Sequence, residues 1–290
     1  MAEGLLSRAG SVLHMLNPAD VQARADEPVT LGLLASDELF GDAVVEFLFP
    51  ESAGQVPDSV IWITGTQDFR RATVGFSEAG IPHPPHFYVF DPADPTASAA
   101  RILNDGANED RWLALAARFP GLRRGVSERV IWKIAKENTF FAATTSLPNV
   151  VPSLLSLPWV VGEFASDMAF LTMNQVRMAF LLAAAHGRTV GYDRQTLPIG
   201  TVLGAGFGWR SIARELVAKV PGGAGVLPKA VVAFAGTYAV GRALEHWFRS
   251  GGALGRAAEA ELFEDGARRG RATVERIVKR VLSGGRRSEA

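Results

Sequence analysis

Val29-Thr-Leu-Gly-Leu-Leu-Ala-Ser36 and the turn after it, Asp37-Glu-Leu-Phe-Gly-Asp42, decide how the front of this chain folds. The run is apolar without interruption and has strand length, the pattern of a strand covered on both faces in a parallel sheet. Asp37 or Ser36 can cap the helix that follows, where Leu39, Phe40, Ala43, Val44, Phe47 and Leu48 recur at helical spacing until Pro50. Val60-Ile-Trp-Ile-Thr64 reads as a second strand and Phe87-Tyr-Val-Phe90 as a third, each bounded by Pro, Gly or Asp. Apolar strands alternating with helical segments predict βαβ units. Residues 26–125 are therefore expected to form a small α/β layer, Rossmann-like or GTPase-like. Residues 1–25 are expected to precede it as an N-terminal helix, with Leu5, Val12, Leu13 and Leu16 on one side and a stop near Asn17-Pro18.

In such a layer the turn after the first strand is where phosphate binds. A phosphate loop needs glycines whose backbone N–H groups wrap the anion and a lysine that reaches its outer oxygens. The turn here, Ala35-Ser36-Asp37-Glu38-Leu39-Phe40-Gly41-Asp42, has neither Gly-Lys-Ser/Thr nor G-x-G-x-x-G, and its carboxylates repel phosphate. It reads as an ordinary capped helix. Asp91 follows the third strand, at a place suited to a magnesium ligand, but Asp91-Pro-Ala-Asp94-Pro95 is also a plain turn sequence. His83-Pro-Pro-His86 reads as a surface loop, because two histidines on a stiff extended segment do not readily share one ion. No metal and no cofactor is expected.

The 290 residues carry 30 Lys+Arg and 30 Asp+Glu, a balance that argues against a general nucleic-acid binder. Charged residues make up 21% and the mean hydropathy is +0.12, toward the apolar side for a protein in water. With no cysteine in the chain, disulfides, thiolate nucleophiles and cysteine metal sites are excluded. Met1 to Gly10 lacks the basic then apolar pattern of a signal peptide, which gives an expected cytoplasmic start.

The rest of the chain is oilier. Arg111–Phe119 and Val126–Asn138 read as amphipathic helices joined at Pro120-Gly121, with Arg123, Arg124, Arg129, Lys133 and Lys136 making the connector basic. Thr139 to Gly162 contains no charged residue, and Pro148, Pro152 and Pro158 interrupt it too often for a single straight helix. Glu163 to His186 is more regular. Glu163, Asp167, Phe170 and Asn174 share one side of its wheel, with Arg177 close by. An isolated charge in apolar surroundings is costly, so Asp167 and Arg177 are expected to find partners, with Arg210, Arg214 and Glu215 as candidates. His186-Gly187 ends this helix.

Leu203-Gly-Ala-Gly-Phe-Gly-Trp-Arg210 reads as a glycine-rich turn opening a helix. Gly204, Gly206 and Gly208 would there present amides to an anion beside Arg210, or simply allow close packing around Trp209. In the helix Lys229–Phe248, Ala230, Ala233, Thr237 and Gly241 form a small-residue side that permits tight helix–helix approach. Residues 126–250 are accordingly read as an apolar helical domain. Residues 251–290 are read as an amphipathic basic helix and tail, with Val274, Ile277, Val278, Val281 and Leu282 on one face and Arg276, Lys279 and Arg280 around them.

The segments Asn174-Gln-Val-Arg-Met178, Gly204-Ala-Gly-Phe-Gly-Trp-Arg210, Ala213-Arg-Glu-Leu-Val217, Val220-Pro221, Lys229 and Gly236-Thr237 resemble an uncharacterised bacterial helical domain. That domain occurs after Era-like GTPase domains and in predicted inner-membrane proteins, and the resemblance covers about residues 140–248. It implies membrane association and a role beside GTPases, and it brings no catalytic residue. The combined expectation is a non-catalytic, membrane-associated scaffold or adaptor with a pseudo-GTPase front domain. It would lie on the cytoplasmic side of a membrane, peripheral or integral, or in the cytoplasm, with a protein partner or a second copy. The alternatives are a nucleotide- or anion-binding switch using Gly204–Gly208 and Arg210, and, more remotely, an enzyme built on Asp167, Arg177 and His186.

Overall fold

The computed structural model describes residues 17–51, 57–145, 167–205 and 226–287. It is a mixed α/β and helical protein that divides into two compact units. One comprises the described residues of Val21–Glu128 with Ala183–Thr189; the other, those of Met1–Asp20, Arg129–Leu182 and Val190–Ala290. The C-terminal helix thus shares a unit with the apolar helices before it.

The chain enters through α1 (Pro18–Ala25). Asn17 Oδ1 accepts from the Ala19 N–H at 3.1 Å, so Asn-Pro starts this helix. The expected helix with Leu5, Val12, Leu13 and Leu16, and so its stop near Asn17-Pro18, lies outside the described residues; a capping Asn followed by proline at the first helical position is a start signal. The sheet follows, built from β1 (Leu31–Leu34), β2 (Val60–Trp62), β3 (Val74–Ser77) and β4 (Phe87–Val89). Its order is β2-β1-β3-β4 and all pairs are parallel, with Leu31 opposite both Val60 and Val74 and Gly75 opposite Phe87. Three of these strands are legible in the sequence; β3 is not. Only the first crossover is an α-helix, α2 (Glu38–Leu48), capped by Asp37, whose side chain accepts from the Phe40 N–H. Between β2 and β3 there is only a 3-10 turn at Asp68–Arg70, and residues 78–86 join β3 to β4 without a helix. The expected run of βαβ units is therefore reduced to one.

Alternation divides the sheet residues between two faces. Leu31, Leu33, Val74 and Phe76 are buried on one. There the Phe90 ring meets Phe76 at 4.9 Å, Phe40 at 5.9 Å and Phe47 at 5.8 Å between centroids. The other face holds Gly32 and Gly75, opposite each other in register. Their missing side chains make room for the Phe87 ring: a Cβ would stand 2.5 Å from it at Gly32 and 2.1 Å at Gly75. Ile63 and Ala72 complete this cluster, with Phe69 packed against it. After β4 come α3 (Pro95–Asn104), α4 (Trp112–Arg118) and the long α5 (Arg123–Thr145). The last of these continues through Asn138 into the charge-free stretch.

In the helical unit, α6 (Asp167–Ala185), α7 (Tyr192–Ala205), α8 (Val226–Ser250) and α9 (Arg256–Arg287) follow. The centre is α8, buried on more than one side, as an all-round apolar helix must be. Its small-residue side receives α5 and α6: a Cβ on Gly241 would lie 2.7 Å from Ile131 and 3.0 Å from the Met178 sulfur. A different side, with Phe234, Ala235, Tyr238 and Ala239, receives α9. A Cβ on Gly266 would lie 2.8 Å from the Tyr238 ring, and one on Gly270 only 2.3 Å from Phe234. Phe263 is buried in the same seam with Ala235 and Ala239. Gly251, at φ 77, reverses the chain between the two helices, and its N–H closes on the Trp247 carbonyl. Of the apolar face read in the sequence of α9, Val274, Val278 and Val281 are buried and Leu282 is exposed.

Two glycine substitutions separate packing from propensity in this unit. Gly270→Leu should lower stability by about 1–3 kcal/mol through overpacking against Phe234. Gly200→Ala, on α7 with open space around it, should raise stability by up to about 1 kcal/mol. Urea midpoints of both variants check this.

Candidate functional site

The order β2-β1-β3-β4 places a switch point between β1 and β3, because the chain leaves β1 toward one edge and β3 toward the other. In open parallel sheets ligands bind in the crevice beyond the strand ends at such a point. Two short turns form this crevice, Ala35-Ser36-Asp37 after β1 and Glu78 after β3. The Glu78 N–H bonds the Leu34 carbonyl at 2.9 Å, which holds the residue beside the β1 end. Its carboxylate oxygen Oε2 accepts from the Ser36 N–H at 2.9 Å and from Ser36 Oγ at 2.5 Å. At the N-terminus of α2 the Asp37 carboxylate accepts from the Phe40 N–H at 2.9 Å. Ser36, through its N–H and hydroxyl, and the Phe40 N–H, donors that a phosphate could use, are therefore engaged by carboxylates of the chain itself.

The neighbouring turns follow the same rule. Asp68 Oδ2 accepts from Thr64 N–H, Thr64 Oγ1 and Gly65 N–H, each at 3.1 Å, and these bonds hold its carboxyl below the usual range. Asp91 Oδ1 accepts from the Ala93 N–H at 2.9 Å, so the residue considered for magnesium closes its own turn. His86 Nε2 bonds the Phe69 carbonyl at 3.1 Å, and His83 Nδ1 lies 3.2 Å from the Pro84 carbonyl. Among the described residues no group of three or more His, Asp or Glu is placed to hold a metal ion.

Tyr88 holds its phenolic proton more tightly than a tyrosine in water does. Burial, then the hydrogen bond it donates to Asp105 Oδ2 at 2.7 Å, push its phenol up to about 12, while a bond from Asn108 pulls the other way. The same Tyr88 hydroxyl, followed by the Ala107 N–H, holds the Asp105 carboxyl below its usual range. Asn108 also donates to the Ile102 carbonyl at 3.0 Å, which ties β4 to the end of α3.

In the helical unit the structure brings two of the expected polar residues together and supplies partners that the sequence reading did not name. Asn174 on α6 donates to Asn138 Oδ1 on α5 at 2.7 Å. Asn138 Nδ2 donates to Thr237 Oγ1 on α8 at 2.8 Å, and Thr237 donates to the Ala233 carbonyl of its own helix. All three side chains are buried, so the relay joins three helices in a place without water. One turn further along α6, Arg177 pairs with Glu137 of α5 at 2.8 Å, with about a quarter to a third of each side chain exposed. The described partner of Arg177 is thus Glu137; the candidates Arg210, Arg214 and Glu215 lie outside the described residues.

Several expected site residues lie outside the described residues: Glu163, Gly206, Gly208, Arg210, Arg214 and Glu215. The Asp167 backbone begins α6. Gly204 lies within α7, and the rest of the expected anion-binding turn lies outside the described residues. His186 is buried, and Gly187, at φ 66, ends α6 as expected. The Arg188 N–H reaches the Ala183 carbonyl at 2.9 Å and the Gly187 N–H the Ala184 carbonyl at 2.9 Å, a Schellman closure. Comparison with protein-family models, with curated proteins and with solved structures finds no match.

Asn138→Ala, which strands the buried Asn174 amide, should cost about 2–3 kcal/mol. Arg177→Gln, which loosens a half-exposed ion pair, should cost about 1 kcal/mol or less; denaturant midpoints of the two variants compare them directly. The folded Tyr88 phenol holds its proton more tightly than an unfolded one with a pKa of 10.0, so its contribution is complete below pH 10 and lost as pH rises toward about 12. Over that interval stability should fall more steeply in the wild type than in Tyr88→Phe, as followed by circular dichroism.

Proposed function

We propose that this protein is a non-catalytic scaffold or adaptor associated with the cytoplasmic face of a membrane. Its Rossmann- or GTPase-like layer serves as an interaction module and its helical unit as the assembly or anchoring element. The observation that carries this reading is the Glu78 carboxylate seated on the Ser36 N–H and hydroxyl at the switch point. A nucleotide phosphate entering there would have to displace that carboxylate and approach Asp37 and Glu38 as well. Charge repulsion in a site this small outweighs the single amide and hydroxyl that would be gained.

Membrane association is supported by the absence of charge from Thr139 to Gly162 and by the sequence resemblance of residues 140–248. No helix among the described residues is long and apolar enough to cross a membrane. In that part of the chain the apolar faces of α5, α6 and α8 are turned on one another, so attachment there would be peripheral.

Titration calorimetry with GTP, ATP and inorganic phosphate should give no binding heat. In fractionated cells the protein should sediment with membranes and be released by salt or carbonate. Saturable heat with a nucleotide would overturn the non-catalytic reading, and recovery wholly in the soluble fraction would remove the membrane from it.

A further inference from the structure

Formal charge cancels over the whole chain, but not over α9. From Gly266 to Arg287 there are eight Lys and Arg against one acidic residue, Glu275. The helix is oriented by its docking: Phe263, Val274, Val278 and Val281 are buried, and Gly266 and Gly270 lie against α8. What remains outward is cationic. Arg268, Arg271, Arg276, Lys279 and Arg280 are exposed, with 76% of the Arg268 side chain and 80% of the Arg271 side chain open to solvent. Asp265 takes part of this charge through Arg268 at 2.6 Å and Arg269 at 2.8 Å, and Glu275 meets Arg271 at 3.2 Å. Six cations between positions 268 and 280 face these two carboxylates, so the strip keeps an excess of positive charge over about 18 Å of helix.

We infer that this outward strip of α9 is a docking surface for the anionic headgroups of a lipid bilayer. Charge complementarity selects an anionic partner, and the composition of the strip selects the bilayer. Arg271, Glu275, Lys279 and Leu282 recur at helical spacing, and Leu282 is 38% exposed. An apolar tip beside cations suits the boundary between headgroup and acyl chain. A nucleic-acid groove of this kind would interleave aromatic side chains for base stacking, and no aromatic residue occurs between Glu264 and Arg287. The side of α9 that holds Phe263, Gly266 and Gly270 is occupied by α8, so the helix rests on the headgroups by charge and only the Leu282 tip reaches their boundary. The inference rests on the membrane-associated reading above and names the element and the lipid class.

Flotation of the purified full chain with vesicles tests it. Phosphatidylcholine vesicles are compared with vesicles that also contain phosphatidylglycerol, at low and high salt. The wild type should float with the anionic vesicles only, and high salt should release it because exposed charges are screened. The variant Arg268→Gln/Arg271→Gln/Lys279→Gln/Arg280→Gln should lose binding by roughly 600-fold, given about fivefold for each of the four cations at an anionic surface. Replacing Arg268, Arg271 and Arg280 by Lys should preserve it, and circular dichroism of each variant confirms that the helices remain. Undiminished flotation of the Gln variant, or equal binding to neutral vesicles, overturns the inference while leaving membrane association intact. Failure of the wild type to bind either vesicle removes both. Displacement of the wild type from anionic vesicles by an oligonucleotide duplex at equal phosphate concentration would assign the strip to nucleic acid and overturn it as well.

Discussion

Turns at the end of a parallel sheet leave backbone donors pointing into a crevice, and something must answer them. In this protein the answer comes from within. Glu78 at the end of β3 reaches across to Ser36 at the end of β1, and Asp37 caps the helix beside it. Because both strands run parallel and adjacent, their two turns are held side by side by the ladder itself, and the carboxylate needs no further support to find its donors. The functional reading of the front unit follows from this one arrangement. A crevice already neutralised by covalently attached anions has little left with which to attract a free one.

The helical unit solves the same physical problem more deeply. Three helices meet around Asn138, Asn174 and Thr237, and each buried amide or hydroxyl is taken up by a neighbour on another helix or by a carbonyl. Ile131, Met178 and Gly241 make the adjacent apolar layer of the same seam. A hydrocarbon layer tolerates sliding, whereas the amide layer has one register in which its bonds form. Buried polar groups are most securely attested in this role of fixing alignment.

Much of this was legible beforehand, and the failures have physical reasons. The strands at Leu31, Val60 and Phe87 announced themselves by apolar runs between turn residues. The strand at Val74–Ser77 has only Val74-Gly-Phe76 between Thr73 and Ser77-Glu78, so it lacks the long apolar run that surrounds Leu31–Leu34; its identity comes from the register it shares with that strand. Asn174 and Arg177 could be singled out because polar groups on an oily helix must be answered. The answering residues, Glu137, Asn138 and Thr237, were harder to find because nothing local marks which helix will face which. Asn17-Pro18 marks a boundary without giving its direction, and on its described side that boundary is a helix start.

The two rings that α9 covers have a temporal side. Phe234 and Tyr238 lie on α8, and Gly266 and Gly270, which let a helix come close enough to shield them, are some thirty residues further along the chain. During synthesis, at about 5–20 residues per second, a few seconds pass in which α8 is complete while this flank has no cover. The nascent protein therefore has a brief sticky interval that closes only when the polypeptide folds back at Gly251. Chaperones, or neighbouring copies emerging from the same message, would meet the molecule in that interval and not afterwards.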